Sequence, residues 1–177
     1  MSHIFPTQPG RSLAAAIAAN GSPVNPSNDA AHDLVRFIRD KIPLARAMEL
    51  ELLAHDDGLL VLGAPLAPNV NDKGCAFGGS LVSLMTLTGW GLVELALRKH
   101  GHDCDVFVGE STVRYLQPVW ADFRAEARLT GDADWSTFFD TLHSRGKARI
   151  EVDCSVPGAD GQPAATLAAR FVAKRRD

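Results

Sequence analysis

The sequence is short of the groups that three common kinds of chemistry need. Its cysteines number three, Cys75, Cys104 and Cys154, and stand far apart. An odd, scattered set builds no disulfide framework and no zinc spacing, and suits reduced thiols in a cytoplasmic protein. Basic charge is not in excess either: 18 Lys and Arg face 21 Asp and Glu, for a net charge of -3. That balance provides no positive field for nucleic acid. Finally, Asp, Glu, Lys and Arg are missing altogether from residues 76–93. A membrane span needs about 20 predominantly apolar residues. This run, however, carries the hydroxyls of Ser80, Ser83, Thr86 and Thr88, contains Gly89 and Gly91, and is interrupted by Glu94. It reads as a central helix wrapped by protein on most sides, not as a membrane span.

What is present is ordinary globular material. A chain of 177 residues with 46% hydrophobic and 22% charged side chains fits one domain and a tail. Residues 1–28 carry Pro6, Pro9, Pro23 and Pro26 among Ser, Asn and Gly. Their composition predicts a mobile N-terminal extension with at most a short helix at 11–19. The LAAAIAA run at 13–19 follows two prolines and a single basic residue, and belongs to that extension rather than to a secretion signal. The domain proper is expected at 29–177.

Asp29 is placed as the N-cap of a first helix whose face carries Leu34, Val35, Ile38 and Ile42, and Pro43 stops it. Residues 49–55 alternate Leu50, Leu52 and Ala54 against Glu49, Glu51 and His55. Asp57-Gly58 then turns the chain back into 59–64, a β-hairpin. The long helix follows at about 79–99, and strands are expected at 106–116, 123–129, 147–156 and 165–173. Trp135, Phe138, Phe139 and Leu142 lie at helical spacing and suit a short covering helix that plugs the core. The fold class is therefore α+β, with six strands and one buried helix between the second and the third.

The chain is organised around residues 64–90. Pro65 and Pro68 open this stretch, Asn69, Asn71 and Asp72 follow, and Gly74, Gly78 and Gly79 lead into the helix. Glycines at a loop–helix junction let the backbone turn sharply and let a ligand approach the first free N–H groups, at the positive end of the macrodipole. A polarised carbonyl or an oxyanion would be stabilised there.

The strings IPLARAM at 42–48, APLAPNVNDKGCAFGGSL at 64–81, LTGWGL at 87–92 and VRYLQPV at 113–119 resemble the YiiD C-terminal family of putative thioesterases. The resemblance covers roughly residues 31–174 in register. It implies a hotdog fold, an antiparallel sheet wrapped around a long central helix, here expected as a stand-alone domain. It also implies a homodimer or a dimer of dimers, and substrates that are acyl thioesters of coenzyme A or acyl carrier protein. The substrate itself would carry the phosphopantetheine, so no separate cofactor is expected. Open strand edges, read independently, also favour an oligomer.

Many hotdog thioesterases carry N-x-x-G-x-x-H-G-G, followed about two helical turns later by an acid. Here Asn71, Gly74, Gly78 and Gly79 match, Phe77 replaces the histidine, and Thr86 stands where the carboxylate would be. Hydrolysis needs a group that activates water or attacks the carbonyl, and neither Phe nor Thr does so without a base. The nearest acids in sequence are Asp72 and Glu94. By resemblance to single-domain relatives, decarboxylation of a malonyl thioester for fatty-acid synthesis fits better. Asn71 would hold the carbonyl or carboxylate, with Gly79 and Thr86 as the other catalytic positions. Asn69, Asp72, Phe77, Gly78, Arg114 and Tyr115 would be substrate contacts, and no metal is expected. Plainer readings stand beside these. Asn71 and Asp72 suit an Asx-turn, Thr86 a hydroxyl bonded one turn back, Cys75 a structural thiol, and His100, His102, Asp103 and Cys104 a solvated turn. A non-catalytic acyl-thioester or acyl-carrier binding module is the alternative to an enzyme.

Overall fold

The computed structural model describes residues 26–56 and 58–176. The expectations for residues 1–25, and for Asp57 in the hairpin turn, lie outside the described residues. Helix α1 (Pro26–Lys41) places Ala31, Leu34, Val35 and Ile38 at i, i+3, i+4 and i+7, and all four are buried. It starts earlier than expected. Asp29 lies in its first turn, where its charge suits the macrodipole, and Pro26 takes the first position, where the missing N–H costs nothing. Pro43 ends α1 and also begins a second short helix, α2 (Pro43–Ala47), with Ile42 extended between them.

The chain leaves α2 through Glu49, a non-glycine residue with φ of 55°. That left-handed residue makes strand β1 (Glu51–Asp56) begin two residues later than the alternation suggests. Strand β1 pairs antiparallel with β2 (Leu59–Ala64), and a register shift between Leu52 and Ala54 breaks the simple in–out pattern. Leu53 turns onto Gly63, where a Cβ would lie 2.8 Å from its Cδ1.

Helix α3 (Gly78–Lys99) follows the connecting loop, and then come β3 (Cys104–Tyr115), β4 (Phe123–Leu129), α4 (Trp135–Arg145), β5 (Lys147–Pro157) and β6 (Pro163–Arg175). The six strands form one antiparallel sheet in the order β1-β2-β4-β5-β6-β3. On one face of this sheet the buried residues Ile150, Val152 and Cys154 of β5 and Leu167, Ala169 and Phe171 of β6 lie on the side that packs against α3. Two glycines let helix and sheet approach. A Cβ on Gly89 would lie 2.9 Å from the Phe171 ring and 3.0 Å from Cys154 Sγ, and one on Gly91 would lie 2.8 Å from Leu60 Cδ2. Thr88 is fully buried among these contacts and satisfies its hydroxyl by donating to Leu84 O at 2.7 Å. By length and composition α3 is also the one helix among the described residues that matches a membrane span, yet 56% of its most apolar window is buried inside the fold. Wrapping by the sheet accounts for its lack of charge.

Helix α4 covers the end of β5. Asp134 caps it by accepting from Thr137 N at 2.8 Å, and Gly146, left-handed with φ of 67°, terminates it. Strand β3 stands at the free end of the sheet, and residues 107–112 are exposed one after another.

Candidate functional site at the start of the central helix

The loop between β2 and α3 is held by its own polar side chains. Asn69 is 2% exposed, and its Nδ2 donates to Met48 O at 3.0 Å and to Pro65 O at 2.8 Å, tying the loop to the α2–β1 turn. Its backbone carbonyl accepts from Phe77 N at 2.7 Å, and Val70 bridges Ala76, so residues 69–77 fold back as a small hairpin. Asn71 shapes the tip. Its Oδ1 accepts from Lys73 N at 2.8 Å, its backbone carbonyl from Gly74 N at 3.1 Å, and its Nδ2 donates to Cys75 Sγ at 3.2 Å. The Asx-turn reading of Asn71 is therefore correct as local geometry. An amide carries two N–H donors, and the second has no partner among the described residues.

The hairpin delivers the chain to α3 without a cap. Phe77 is the N-cap residue and makes no side-chain capping bond; the first i to i−4 bond of the helix is Leu81 N to Phe77 O at 3.0 Å. The N–H groups of Gly78, Gly79 and Ser80 thus have no intrahelical acceptor and point out of the positive end of the helix. Two aromatic rings frame them. The Phe77 ring folds over Gly79, at a place a Cβ would fill, and Tyr115 packs against Gly78 while its hydroxyl donates to Gly78 O at 3.2 Å. Phe77 and Tyr115 are each more than half exposed, so the open helix start is framed by exposed aromatic rings, and Leu116 and Trp120, also more than half exposed, flank the segment that Val119 ties to Ala76. Val119 O accepts from Ala76 N at 2.8 Å, and Gln117 Nε2 donates to Asp160 at 3.1 Å, anchoring this segment to the β5–β6 turn. The Gln117 bond holds the Asp160 carboxyl below its ordinary pKa.

The expected site residues separate into groups. Phe77, Gly78, Gly79 and Tyr115 converge on the helix start; Asn69 is a buried brace, and Asn71 lies in the hairpin beside it. Asp72 is exposed and paired with Lys73 at 2.9 Å. Thr86 is half-buried in α3, about 10 Å further along at 1.5 Å per residue. Arg114 does not join the site. Tyr115 pairs with Ala165 on the helix side of the sheet, so its neighbour faces the opposite side, in a cavity of about 370 Å³ shared with Glu126, Arg128 and Asp153. Leu116, Trp120 and Val70 were not singled out from the sequence, although their signal was there: large apolar residues in loops beside Pro118 and Pro68.

Cys75 is buried beside Asn71, and burial pushes the Cys104 thiol up and that of Cys154 up to about 12, so neither of these two is a poised nucleophile. Among the described residues no cluster of His, Cys, Asp or Glu suits a metal ion. His100 and His102 instead pack on Phe139, His100 tilted with ring centroids 4.2 Å apart and His102 stacked at 5.3 Å.

The family described as "Putative thioesterase (yiiD_Cterm)" matches residues 31–175. The chain belongs to this family. A putative thioesterase from Shewanella oneidensis superposes with a TM-score of 0.74 at 30% identity, over 83% of this chain and 99% of that one. A protein of unknown function from Chlorobaculum tepidum TLS superposes with a TM-score of 0.80 at 28% identity, over 85% and 97%. The PaaI protein of E. coli shares the fold at 15% identity, with a TM-score of 0.59 over 84% and 95%. A hotdog domain of the thioesterase family, acting on acyl thioesters, is thus the coarse description of this chain.

Proposed function

We propose that the chain decarboxylates a malonyl thioester, carried on acyl carrier protein or coenzyme A, at the open start of α3. The carrying observation is the pairing of N–H groups at Gly78, Gly79 and Ser80, which have no acceptor among the described residues, with the exposed rings of Phe77 and Tyr115 that frame them. The nearby acids are otherwise engaged. Asp72 pairs with Lys73, Asp122 accepts from Leu66 N at 2.8 Å, and Glu110 pairs with Arg170 at 3.0 Å on the outer face. Hydrolysis requires a water made nucleophilic. Decarboxylation requires only that electrons be received: the bond between the malonyl Cα and its carboxylate breaks, CO2 departs, and the pair passes into an enolate whose oxygen lies on the thioester carbonyl. Helix-start N–H groups and the free N–H of Asn71 would stabilise that oxygen, and a proton from water then returns to Cα to give the acetyl thioester. Phe77 favours the step by an apolar wall against which a charged carboxylate is less stable than CO2.

Hydrolysis is the second reading, favoured by the thioesterase description of the family. One assay separates them: malonyl-acyl carrier protein and a panel of acyl-CoAs, with CO2 and free thiol followed separately. CO2 without thiol is the expected result. Thiol without CO2 means hydrolysis, and saturable binding with neither product means a carrier-binding module.

The same proposal includes a cytoplasmic homodimer, or a dimer of dimers, joined through β3. This strand ends the sheet, exposes Phe107 and Val108, and lies beside α3, where Trp90 Nε1 donates to Val106 O at 3.1 Å. A long, exposed, apolar edge is a surface that proteins pair or cover. Sedimentation of a folded, active monomer at micromolar concentration would contradict it.

A further inference from the structure

A cavity of about 520 Å³ lies along the later half of α3, away from the open helix start. Its floor is one helical stripe, Leu92, Leu95 and Ala96, of which the two leucines are 3% and 4% exposed. Ala30 of α1 and Trp135 of α4 supply two further apolar walls. The polar groups around it are already engaged. Arg98 pairs with Glu94 at 3.0 Å, and the Asp56 carboxylate accepts from Gly58 N at 2.9 Å. His100 packs on Phe139, and His55 and Lys99 each interact within the chain. What the cavity has left to offer is apolar surface, which suits an occupant that is apolar and uncharged.

The chain carries such a segment, tethered beside the cavity. Residues 1–25 lie outside the described residues and join the fold at Pro26, one helical turn before Ala30. Residues 12–25 contain no Asp, Glu, Lys or Arg, and the run LAAAIAA stands at 13–19. In helical geometry Leu13 and Ile17 fall on one face about 6 Å apart, the same i to i+4 step that separates Leu92 from Ala96. The alanines around them favour a helix and leave room for close packing. Residues 20–25 span about 20 Å when extended, enough to carry the run back over Ala30, and Gly21 and Pro23 are suited to the turn this needs.

We infer that the run at 13–19 seats in this cavity as a short helix of the same chain, with Leu13 and Ile17 against Leu92, Leu95 and Trp135. Composition alone predicts an arm that moves; the cavity gives its one long apolar run a place to stop. The docking surface stands apart from the start of α3, since Gly78 and Leu92 are separated by about 21 Å along the helix at 1.5 Å per residue. The inference therefore does not depend on which reaction the helix start performs.

The test is amide hydrogen exchange of the full chain, read by mass spectrometry on peptides covering 13–19, against a free synthetic peptide of the same sequence. Exchange slower than in the free peptide by about tenfold or more is expected in the native chain. Leu13→Asp with Ile17→Asp should restore the free rate, because two carboxylates cannot enter an apolar cavity without a partner. Ala96→Trp fills the cavity from its floor and Ala30→Trp from its exposed wall; each should also restore the free rate, with circular dichroism confirming the native fold. The inference is overturned if residues 13–19 of the native chain exchange at the free rate, or if both folded cavity-filling variants keep the protection. Protection that disappears on dilution would also overturn it, by assigning the segment to the cavity of a second copy.

Discussion

Helix α3 carries glycines at its start and glycines in its middle, and the two groups answer different demands. Gly89 and Gly91 are buried against Phe171, Cys154 and Leu60, and their missing side chains bring a helix and a sheet into contact. Gly78 and Gly79 are half-exposed, meet the rings of Tyr115 and Phe77 first, and lead N–H groups that nothing in the described chain accepts. Crowding by core atoms marks a packing glycine. Crowding by exposed aromatic rings, at an uncapped helix end, marks the place where the proposed substrate site lies. Substitutions at the two places should therefore separate stability from activity.

The largest effect is expected at the loop. If Asn71 donates to the developing enolate oxygen, Asn71→Ala lowers turnover by about 10²–10³, as loss of one oxyanion donor does. Its melting temperature should stay near the native value. Asn71→Asp should be as harmful to CO2 release, because a carboxylate there repels the malonyl group. Full turnover in a folded Asn71→Ala dimer would reduce the loop to a turn.

Gly89→Val tests the opposite side of the comparison. Forcing a branched side chain against Phe171 and Cys154 should cost about 2–3 kcal/mol and lower the melting temperature by roughly 5–10 °C. Turnover per folded molecule should not change; a selective loss of turnover at native stability would mean that the middle of α3 also belongs to the site. A smaller effect is expected from Tyr115→Phe, which removes the donor to Gly78 O: a change of about 1 kcal/mol or less in stability. Substrate KM should rise more than kcat falls, because the ring stays and only the helix start loosens.

The last effect, at Cys154, is absent near neutral pH and appears only in alkali. Burial raises its thiol from 9.0 to about 12 in the fold. A raised pKa contributes stability that is present below 9.0, and that is lost as pH climbs toward 12, because the unfolded chain then releases a proton that the folded chain keeps. Cys154→Ala should flatten that part of the stability profile measured by urea titration. An unchanged slope between these limits would mean that the thiol is less enclosed than its packing against Gly89 indicates.

Much of this was legible in the sequence, for physical reasons that also explain the rest. The charge-free run of 76–93 could only be covered on most sides, and the alternation of Ala148, Ile150, Val152 and Cys154 could only be a half-buried strand; both expectations held. The start of α1 is hard to read from the sequence because Asp29 has the chemistry of a cap, yet it lies inside the first turn of a helix that begins at Pro26. The β1 bulge was invisible because two adjacent leucines fit either face until Gly63 receives Leu53. A period of two says that Arg114 and Tyr115 face opposite ways, but only the register of Tyr115 against Ala165 says which of them meets the helix. Leu116 and Trp120 carry no polar chemistry that would mark them in a loop, and only their exposure beside the segment tied to Ala76 distinguishes them.

The most direct test of the central claim, that the open start of α3 polarises a thioester carbonyl, is the infrared stretching frequency of acetyl-CoA labelled with carbon-13 at its carbonyl. Bound to the native chain, this band should move to lower frequency than in solution. In Gly79→Val, where the side chain displaces Phe77 and blocks the approach to the helix start, the shift should vanish, while Gly91→Ala should keep it. A bound carbonyl that stretches at its solution frequency in the native chain, or one shifted equally in Gly79→Val, would contradict the account.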